Sequence, residues 1–165
     1  MRFTYCPHCG EKLNARSLGD EGLVPWCEGC QKPLFDMFSS CIIALVMNEF
    51  EEAAILKQRH LSGVYGTLVS GYMKPGESAE DCARREIMEE LGLEPDVLEI
   101  VRTWWHGKRD QLMIGFVGRT AKKDFRLSSE VQEARWIPVR EAINQVHPKG
   151  SISYDLVELY IEERK

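Results

Sequence analysis

The sequence lacks an apolar segment that could span a membrane. Its longest unbroken apolar run, residues 41–47, has seven residues, whereas a transmembrane helix needs about 20. The first five residues, MRFTY, contain no apolar core of a secretory leader. No internal repeat or low-complexity tract is present. These absences lead us to expect a soluble, cytoplasmic protein with no membrane partner.

The sequence is also short of basic residues. It has 21 Lys and Arg against 26 Asp and Glu, which gives a formal net charge of −5. An acidic protein has no general attraction for nucleic acid, so a polyanionic substrate must be bound locally or through metal ions. The 165 residues, 44% hydrophobic and 28% charged, indicate about one globular domain and exclude a disordered chain.

Four of the six cysteines form two C-x2-C pairs. Cys6 and Cys9 make the first pair, Cys27 and Cys30 make the second, and 17 residues lie between Cys9 and Cys27. This spacing is typical of a zinc site, because a tight turn lets both thiolates of a pair reach one tetrahedral ion. Four thiolates leave no coordination position open, so we predict one structural zinc ion per chain. Free thiols or disulfides are the alternatives, and disulfides are disfavoured without a secretory leader.

A zinc-binding module can itself bind nucleic acid, which gives a second class of function. In that case the chain would be a binding module without turnover. The basic residues of this segment are Arg2, Lys12, Arg16 and Lys32, and its acidic residues are Glu11, Asp20, Glu21 and Glu28. Because the two signs are interspersed, no basic patch that could follow a phosphate backbone is predicted.

The rest of the chain mixes strand and helix patterns. Predicted strands cover residues 40–48, 53–57, 97–106, 111–118 and 133–137, and short helices cover residues 140–146 and 153–163. A longer helix is predicted from Ser78, an N-cap with Asp81 three residues later, to Leu91, with Gly92 as its left-handed C-terminal residue. This order predicts an α/β fold, a mixed sheet with helices on its faces.

The longer helix carries three glutamates on one face. Glu86, Glu89 and Glu90 stand at positions i, i+3 and i+4, so their side chains lie about 6 Å apart and repel one another. Carboxylate oxygens without sulfur or imidazole favour Mg²⁺ or Mn²⁺. Such ions would neutralise a pyrophosphate and activate an attacking water. The alternative is an ordinary solvated acidic face.

The segment that contains this helix resembles the Nudix box, G-x5-E-x7-R-E-U-x-E-E-x-G-U, where U is aliphatic. All nine specified positions match: Gly71, Glu77, Arg85, Glu86, Ile87, Glu89, Glu90, Gly92 and Leu93. The resemblance implies a Nudix α/β/α sandwich with a mixed sheet. It also implies cleavage of a nucleoside diphosphate linked to another moiety.

The resemblance also assigns roles within the box. Glu86 and Glu90 are expected to ligate Mg²⁺ or Mn²⁺, and Glu89 is expected to be a further ligand or the base that activates water. A backbone carbonyl of Ser70 or Gly71 is another candidate ligand. Four residues are expected to support the box structurally: Glu77, Arg85, Gly71 and Gly92. Of these, Glu77 and Arg85 should pair and fix the loop against the helix.

A four-cysteine module before a Nudix box is similar to the NADH pyrophosphatase (NAD diphosphatase) branch of the family. We therefore expect a zinc ribbon over residues 1–35 and a Nudix domain over residues 36–165. The resemblance implies a homodimer that cleaves NAD(H) to AMP and nicotinamide mononucleotide. ADP-ribose and other small nucleotides are the alternatives, and capped RNA is the one nucleic-acid substrate that we keep open.

Two further sets of residues follow from this resemblance. Glu133 is the expected additional metal ligand, with Glu130 as the second choice. The branch has a proline-rich specificity motif, S-Q-P-W-P-F-P, and residues 104–111 occupy its place without the prolines. The candidate substrate-binding residues of this window are Trp104, Trp105, Lys108, Arg109 and Gln111. An aromatic ring could stack on adenine or nicotinamide, and the alternative for either tryptophan is a place in the core.

Overall fold

The computed structural model of the protein describes residues 3–59 and 63–164. The chain divides into two compact units, Met1–Phe38 and Ser39–Lys165. Each of the helices in the described part of the chain is too short or too polar to cross a membrane.

The N-terminal unit is a small antiparallel sheet. Its strands are β1 (Asn14–Ser17), β2 (Leu23–Cys27) and β3 (Lys32–Pro33), in the order β1-β2-β3. A 3-10 helix, Gly19–Glu21, joins β1 to β2. The core of this unit is formed by Cys6, Leu13, Cys27 and Leu34. Two of its four core residues are cysteines, so this unit has little apolar core of its own and depends on its sulfur atoms.

The larger unit is built on a six-stranded sheet. Its strands are β4 (Ser39–Met47), β5 (Glu52–Gln58), β6 (Val69–Tyr72), β7 (Val97–His106), β8 (Gln111–Arg119) and β9 (Val131–Pro138). The order is β7-β8-β4-β5-β9, and β6 pairs with β4. The pairing of β4 with β8 is parallel and the other pairings are antiparallel, so the sheet is mixed, as predicted.

Helices cover both faces of this sheet. They are α1 (Ala79–Leu91), α2 (Val139–Ala142) and α3 (Ile152–Glu162). Successive residues of β4 enter two different cores, because side chains alternate along a strand. Ile42 packs with Ile87 of α1 on one face, and Ile43 packs with Leu156 of α3 on the other. The predicted α/β/α sandwich is therefore confirmed.

The ends of α1 follow from its capping residues. The Asp81 backbone N–H donates to Ser78 Oγ at 3.1 Å, which completes a capping box with the carboxylate of Asp81. Gly92 has φ of 68° and donates its N–H to Met88 O at 2.9 Å. A Cβ at Gly92 would collide with Arg126, so the position requires glycine for its φ and for space.

The later elements differ from the sequence-based predictions at their ends. β9 begins at Val131, two residues before the predicted strand, and α2 ends at Ala142, four residues before the predicted end. Val146 instead forms a parallel bridge with Gly66. This long-range pairing competes with helix continuation and gives no signal in the local sequence.

Candidate active site and metal centre

The four paired cysteines converge in the N-terminal unit. Their sulfur atoms all lie within 4.8 Å of one another, with Cys6 Sγ 3.9 Å from Cys30 Sγ and Cys9 Sγ 3.4 Å from Cys27 Sγ. A tetrahedral ion with metal–sulfur bonds of about 2.3 Å separates its ligands by about 3.8 Å. None of the four forms a disulfide. The cluster therefore fits one tetrahedral zinc ion.

A carboxylate that the sequence analysis did not single out lies beside this cluster. Glu11 Oε2 accepts a hydrogen bond from the Gly29 backbone N–H at 2.5 Å and lies 3.6 Å from Cys27 Sγ. A Cβ at Gly29 would collide with the Glu11 carboxylate. Glu11 thus holds the turn of the second C-x2-C pair, and a larger residue at Gly29 would displace the Glu11 carboxylate. The local sequence gives no sign of the contact, because 18 residues separate the two.

In the larger unit, Glu86 lies directly against the strand that opens the box. A Cβ at Gly71, on β6, would fall about 2.0 Å from the Glu86 carboxyl carbon, so only glycine leaves room for this carboxylate. Burial raises the pKa of Glu86, and the neighbouring charge of Glu89 adds to this, while Arg85 and Lys74 oppose it. Glu86 is thus a confined, poorly solvated carboxylate.

Arg85 connects the loop of the box to its helix. Its Nε and Nη2 donate to the two carboxylate oxygens of Glu77 at 3.0 and 2.8 Å. Its Nη1 donates to Glu86 at 2.6 Å and to Glu89 at 3.1 Å. Arg85, followed by the backbone N–H of Lys74, lowers the pKa of Glu77 to about 2. The bidentate pair fixes the loop before α1 against the helix.

Glu90 is the buried carboxylate of the group, with only 5% of its surface exposed. Gln58, the last residue of β5, donates from Nε2 to Glu90 Oε1 at 2.9 Å. Within the described chain, Glu90 Oε2 is buried and has no hydrogen-bond partner. Burial, and then the charge of Glu86, raise the pKa of Glu90 to about 8. An unpartnered buried oxygen is unfavourable, and a bound cation would satisfy it.

The three glutamates do not form a tight cluster of their own. Among residues 3–59 and 63–164, the four cysteines are the single group whose potential ligand atoms all lie within 4.8 Å of one another. Glu89 is half exposed and contacts Arg85 and, at 3.9 Å, Lys74 Nζ. The carboxylates therefore line one face of α1, where Arg85 bridges Glu86 and Glu89.

The structure places Glu133, the expected further metal ligand, in ion pairs along the β5–β9 strand pair. Glu133 pairs with Lys57 across the sheet and binds Lys57 Nζ at 3.9 Å and Arg135 Nε. Its neighbour Ala134 packs on the α1 face, so Glu133 points to the opposite face. The strand pair is in regular register from Pro138 to Glu133, and a bulge between Lys57 and Gln58 shifts only the residues that precede Glu133 in the chain.

Glu130, the second choice, lies nearer the glutamates of α1. Its charge contributes to raising the pKa of Glu90. Its backbone carbonyl accepts a hydrogen bond from the Arg59 N–H at 3.0 Å, next to Gln58, which binds Glu90. The pairing of β5 and β9 thus brings Glu130 to the end of the sheet where Glu90 is held.

The two candidate tryptophans differ in their surroundings. The ring of Trp104 lies on Gly115, where a Cβ would collide with it, and packs into the core on the α2 and α3 face. Trp105 is half exposed, since alternation along β7 turns it to the other face. Trp104 is therefore a packing residue, and Trp105 is the tryptophan whose ring a ligand can reach.

Gln111 is connected to the box through one side chain. It is buried, and its Nε2 lies 2.7 Å from Tyr72 Oη. The carbonyl of Tyr72 accepts a hydrogen bond from Arg85 Nη2 at 3.2 Å. Lys108 and Arg109 lie in the exposed turn between β7 and β8. Gln111 and Tyr72 thus form a fixed pair, whereas Lys108 and Arg109 are surface residues.

Comparison with known proteins agrees with this geometry. A profile of the NUDIX domain matches residues 37–160. Over 161 residues the chain is 30% identical to the NAD-capped RNA hydrolase NudC of Stutzerimonas stutzeri, covering 97% of this chain and 56% of that protein. Over 167 residues it is 28% identical to the NudC of Vibrio atlanticus, covering 99% and 58%. The chain thus spans little more than half the length of these curated relatives.

Solved structures show the same fold at lower identity. The crystal structure of a NUDIX hydrolase from Nitrosomonas europaea matches with a TM-score of 0.71 and 21% identity, covering 98% of this chain and 92% of that one. The NUDIX domain of Shewanella oneidensis NrtR, solved with ADP ribose, matches with a TM-score of 0.67 and 13% identity, covering 79% and 91%. With the profile covering most of its length, the chain belongs to the NUDIX domain family.

Proposed function

We propose that this chain is a divalent-metal-dependent pyrophosphohydrolase that cleaves NAD(H) to AMP and nicotinamide mononucleotide. The observation that carries the proposal is the buried Glu90 carboxylate, which has one oxygen without a hydrogen-bond partner in the described chain and lies on the same helix face as Glu86. The likeness to two proteins named NAD-capped RNA hydrolase supports a substrate that contains NAD.

The residues around Glu90 fit a hard divalent cation. All the donors are carboxylate oxygens, the ligands that Mg²⁺ and Mn²⁺ prefer. Glu86 and Glu90 would hold the ion, with Glu130 in place of Glu133 as the further ligand, because Glu130 lies near Glu90. When bound, such an ion neutralises a pyrophosphate and lowers the pKa of an attacking water.

The remaining residues of the box position these ligands. Arg85, held by both oxygens of Glu77, fixes the direction of Glu86 and partly neutralises the helix face. Gln58 holds one oxygen of Glu90 by a hydrogen bond and leaves the other without a partner in the described chain. Glu89 is half exposed and not buried like Glu90, so it is the carboxylate we propose as the base that accepts the proton of the water.

The substrate's ring systems would contact residues 104–111, which stand in place of the proline-rich specificity motif. Trp105 offers an accessible ring for stacking on nicotinamide or adenine. The Gln111–Tyr72 pair adds hydrogen-bonding groups next to the box. Lys108 and Arg109, in the turn between β7 and β8, could reach phosphate oxygens. Trp104 is left out of this set because it packs in the core.

The four-cysteine unit has a structural part in this proposal. We propose that it holds one zinc ion, since the sulfur separations suit tetrahedral coordination. The six free thiols suit the reducing cytoplasm, where we propose that the protein acts. The homodimer implied by the resemblance also remains a proposal.

ADP-ribose and NAD-capped RNA are the alternative substrates. NAD-capped RNA is supported by the names of the relatives. ADP-ribose contains the same pyrophosphate bond and one adenine, so the glutamates would act on it in the same way. A binding module without turnover is less favoured, because binding alone gives no reason to bury an acidic side chain as deeply as Glu90.

Product analysis by chromatography tests the proposal. The zinc-loaded protein is incubated with NADH, ADP-ribose or NAD-capped RNA, each with Mg²⁺, with Mn²⁺ and without a divalent ion. We expect AMP and reduced nicotinamide mononucleotide from NADH, and only with a divalent ion. Faster cleavage of another substrate would change the substrate assignment. No cleavage of any of the three would contradict the enzyme proposal and favour the binding module.

A further inference from the structure

A cavity with no part in the proposed reaction lies at the other end of the sheet. Its volume is about 290 Å³, and its lining residues are Glu51, Val139, Arg140, Tyr160, Ile161 and Arg164. Glu51 comes directly before β5, whereas Gln58, which binds Glu90, ends that strand. The length of β5 therefore separates the cavity from the glutamates by about 20 Å. The cavity also lies on the α2 and α3 face, opposite α1.

Glu51 stands at the centre of a cluster of charged and hydroxyl groups at this cavity. Glu51 Oε2 accepts a hydrogen bond from Tyr160 Oη at 2.8 Å. Glu51 Oε1 lies 3.4 Å from Arg164 Nη1 and 3.6 Å from Arg119 Nη1. Arg119 Nη2 also donates to Tyr160 Oη at 3.0 Å. A single carboxylate thus faces two guanidinium groups.

Arg140 adds a third guanidinium group to this region. It lines the cavity, and within residues 3–59 and 63–164 it has no hydrogen-bond or ion-pair partner. The two guanidinium groups that line the cavity, Arg140 and Arg164, and the one carboxylate of Glu51 give its lining a charge of +1, in a chain whose formal net charge is −5. The cavity is therefore a positively charged site on an acidic protein.

Contacts within the protein hold the part of the cavity wall around Arg164 and Glu51 in place before any ligand binds. The Arg164 guanidinium lies 4.5 Å from the centre of the buried Tyr160 ring. The Glu51 carbonyl accepts a hydrogen bond from the Val139 N–H at 3.0 Å, which ties the turn before β5 to α2. Arg164 therefore loses little freedom on binding an anion, whereas Arg140 is exposed and would be ordered by the ligand.

We propose that this cavity binds a phosphate monoester of a small metabolite. The phosphate would lie between Arg140 and Arg164, whose paired N–H donors match its oxygens. The carbon skeleton would lie against Val139 and Ile161. Arg119 remains bound to Glu51 and Tyr160 and is a positioning residue. A volume of about 290 Å³ suits a small ligand.

Side-chain NMR of arginine tests this proposal on the zinc-loaded 165-residue chain. The probes are inorganic phosphate and glycerol 3-phosphate, each added without a divalent ion. We expect saturable shifts of the Nε–H signals of Arg140 and Arg164. Arg140→Gln should weaken binding at least about tenfold, and its lack of a partner makes unfolding unexpected. Arg164→Lys, which keeps the charge but loses the paired donors, should weaken binding less.

The matched control is Arg135→Gln, which removes the same charge from the neighbouring strand at an exposed side chain outside the cavity. Its affinity for both probes should equal that of the unmodified protein. Tighter binding of glycerol 3-phosphate would support the monoester. Equal or tighter binding of inorganic phosphate would contradict the monoester and show that the cavity recognises free phosphate. No saturable shift up to about 10 mM, or an equal loss of affinity in Arg135→Gln, would overturn the proposal.

Discussion

The two candidate metal centres of this molecule differ in how complete they are before an ion binds. The four cysteine sulfurs already lie within 4.8 Å of one another, whereas the α1 glutamates form no such group among the described residues. Arg85 instead binds both Glu86 and Glu89. A closed set of sulfurs is what a structural ion needs, while an open set of carboxylates leaves positions for water and substrate.

The two centres also differ in what positions their ligands. Each cysteine pair is placed by a turn of four residues, so local sequence determines most of the site. Glu90 and Glu86 instead depend on Gln58 and Gly71, which come from β5 and β6. The comparison predicts that single substitutions will abolish metal binding at the sulfur site, and that turnover at the carboxylate site will depend on residues distant in sequence.

The largest expected effect is that of Glu90→Gln. This substitution keeps the size of the side chain but removes the carboxylate that would hold the metal ion, so turnover of the cleaved substrate should fall at least about a hundredfold. Steady-state kinetics with Mg²⁺ measures it. Glu80→Gln, an exposed position on the same helix, is the control and should keep its turnover. Equal turnover rates for the two variants would show that Glu90 is not an active-site residue.

Cys27→Ser tests the four-cysteine site, the other of the two candidate metal centres. Cys27 is buried and lies 3.4 Å from Cys9 Sγ, so its loss opens the sulfur cluster. Elemental analysis should find about one zinc per unmodified chain and almost none in the variant. Cys41→Ala, a cysteine buried outside the cluster, should keep its zinc. Zinc retained in Cys27→Ser would contradict the four-sulfur site.

Gly71→Ala tests whether β6 positions the carboxylates. The added Cβ would fall on the Glu86 carboxyl group, and a displacement of about 1 Å lowers a rate up to about a hundredfold. We expect a loss of about tenfold in kcat, with zinc content unchanged. Gly63→Ala, where a Cβ meets nothing within 4 Å, should leave kcat unchanged. The same kcat in both variants would show that Glu86 does not need this space.

The smallest expected effect concerns acid stability. Arg85 and the Lys74 N–H lower the pKa of Glu77 from 4.5 to about 2. A carboxyl group with a lowered pKa in the folded state stabilises the fold at pH values above its unfolded pKa, and this stabilisation is lost as the pH falls from about 4.5 to about 2. Over this range, melting temperatures of the unmodified protein should fall more steeply than those of Glu77→Gln. Parallel curves would show that the pair contributes nothing to stability.

Local signals in the sequence predicted part of this structure well. The capping residues Ser78 and Gly92 gave both ends of α1, and the apolar run from residue 41 gave the central strand. These features depend on residues within a few positions of one another. Long-range register was not predictable in this way. The pairing of Glu133 with Lys57 placed Glu133 on the sheet face opposite α1, and Trp104 packs on Gly115 in the core.

The contacts that complete the candidate site are long-range and were not predictable from local sequence. Gln58 and Glu90 are 32 residues apart in sequence. They meet only because α1 packs on the face of the sheet that contains β5. Gln111 and Tyr72 are 39 residues apart. No spacing rule joins such pairs, so the sequence identifies the glutamates of the box but not the side chains that hold them.

The most direct test of the central claim is a titration with Mn²⁺, followed by the electron paramagnetic resonance signal of the free ion. The zinc-loaded unmodified protein is compared with Glu90→Gln and with Glu80→Gln. If the unpartnered oxygen of Glu90 holds the ion, Glu90→Gln should bind Mn²⁺ at least about tenfold more weakly, while Glu80→Gln matches the unmodified protein. Equal Mn²⁺ affinity in all three proteins would contradict the claim.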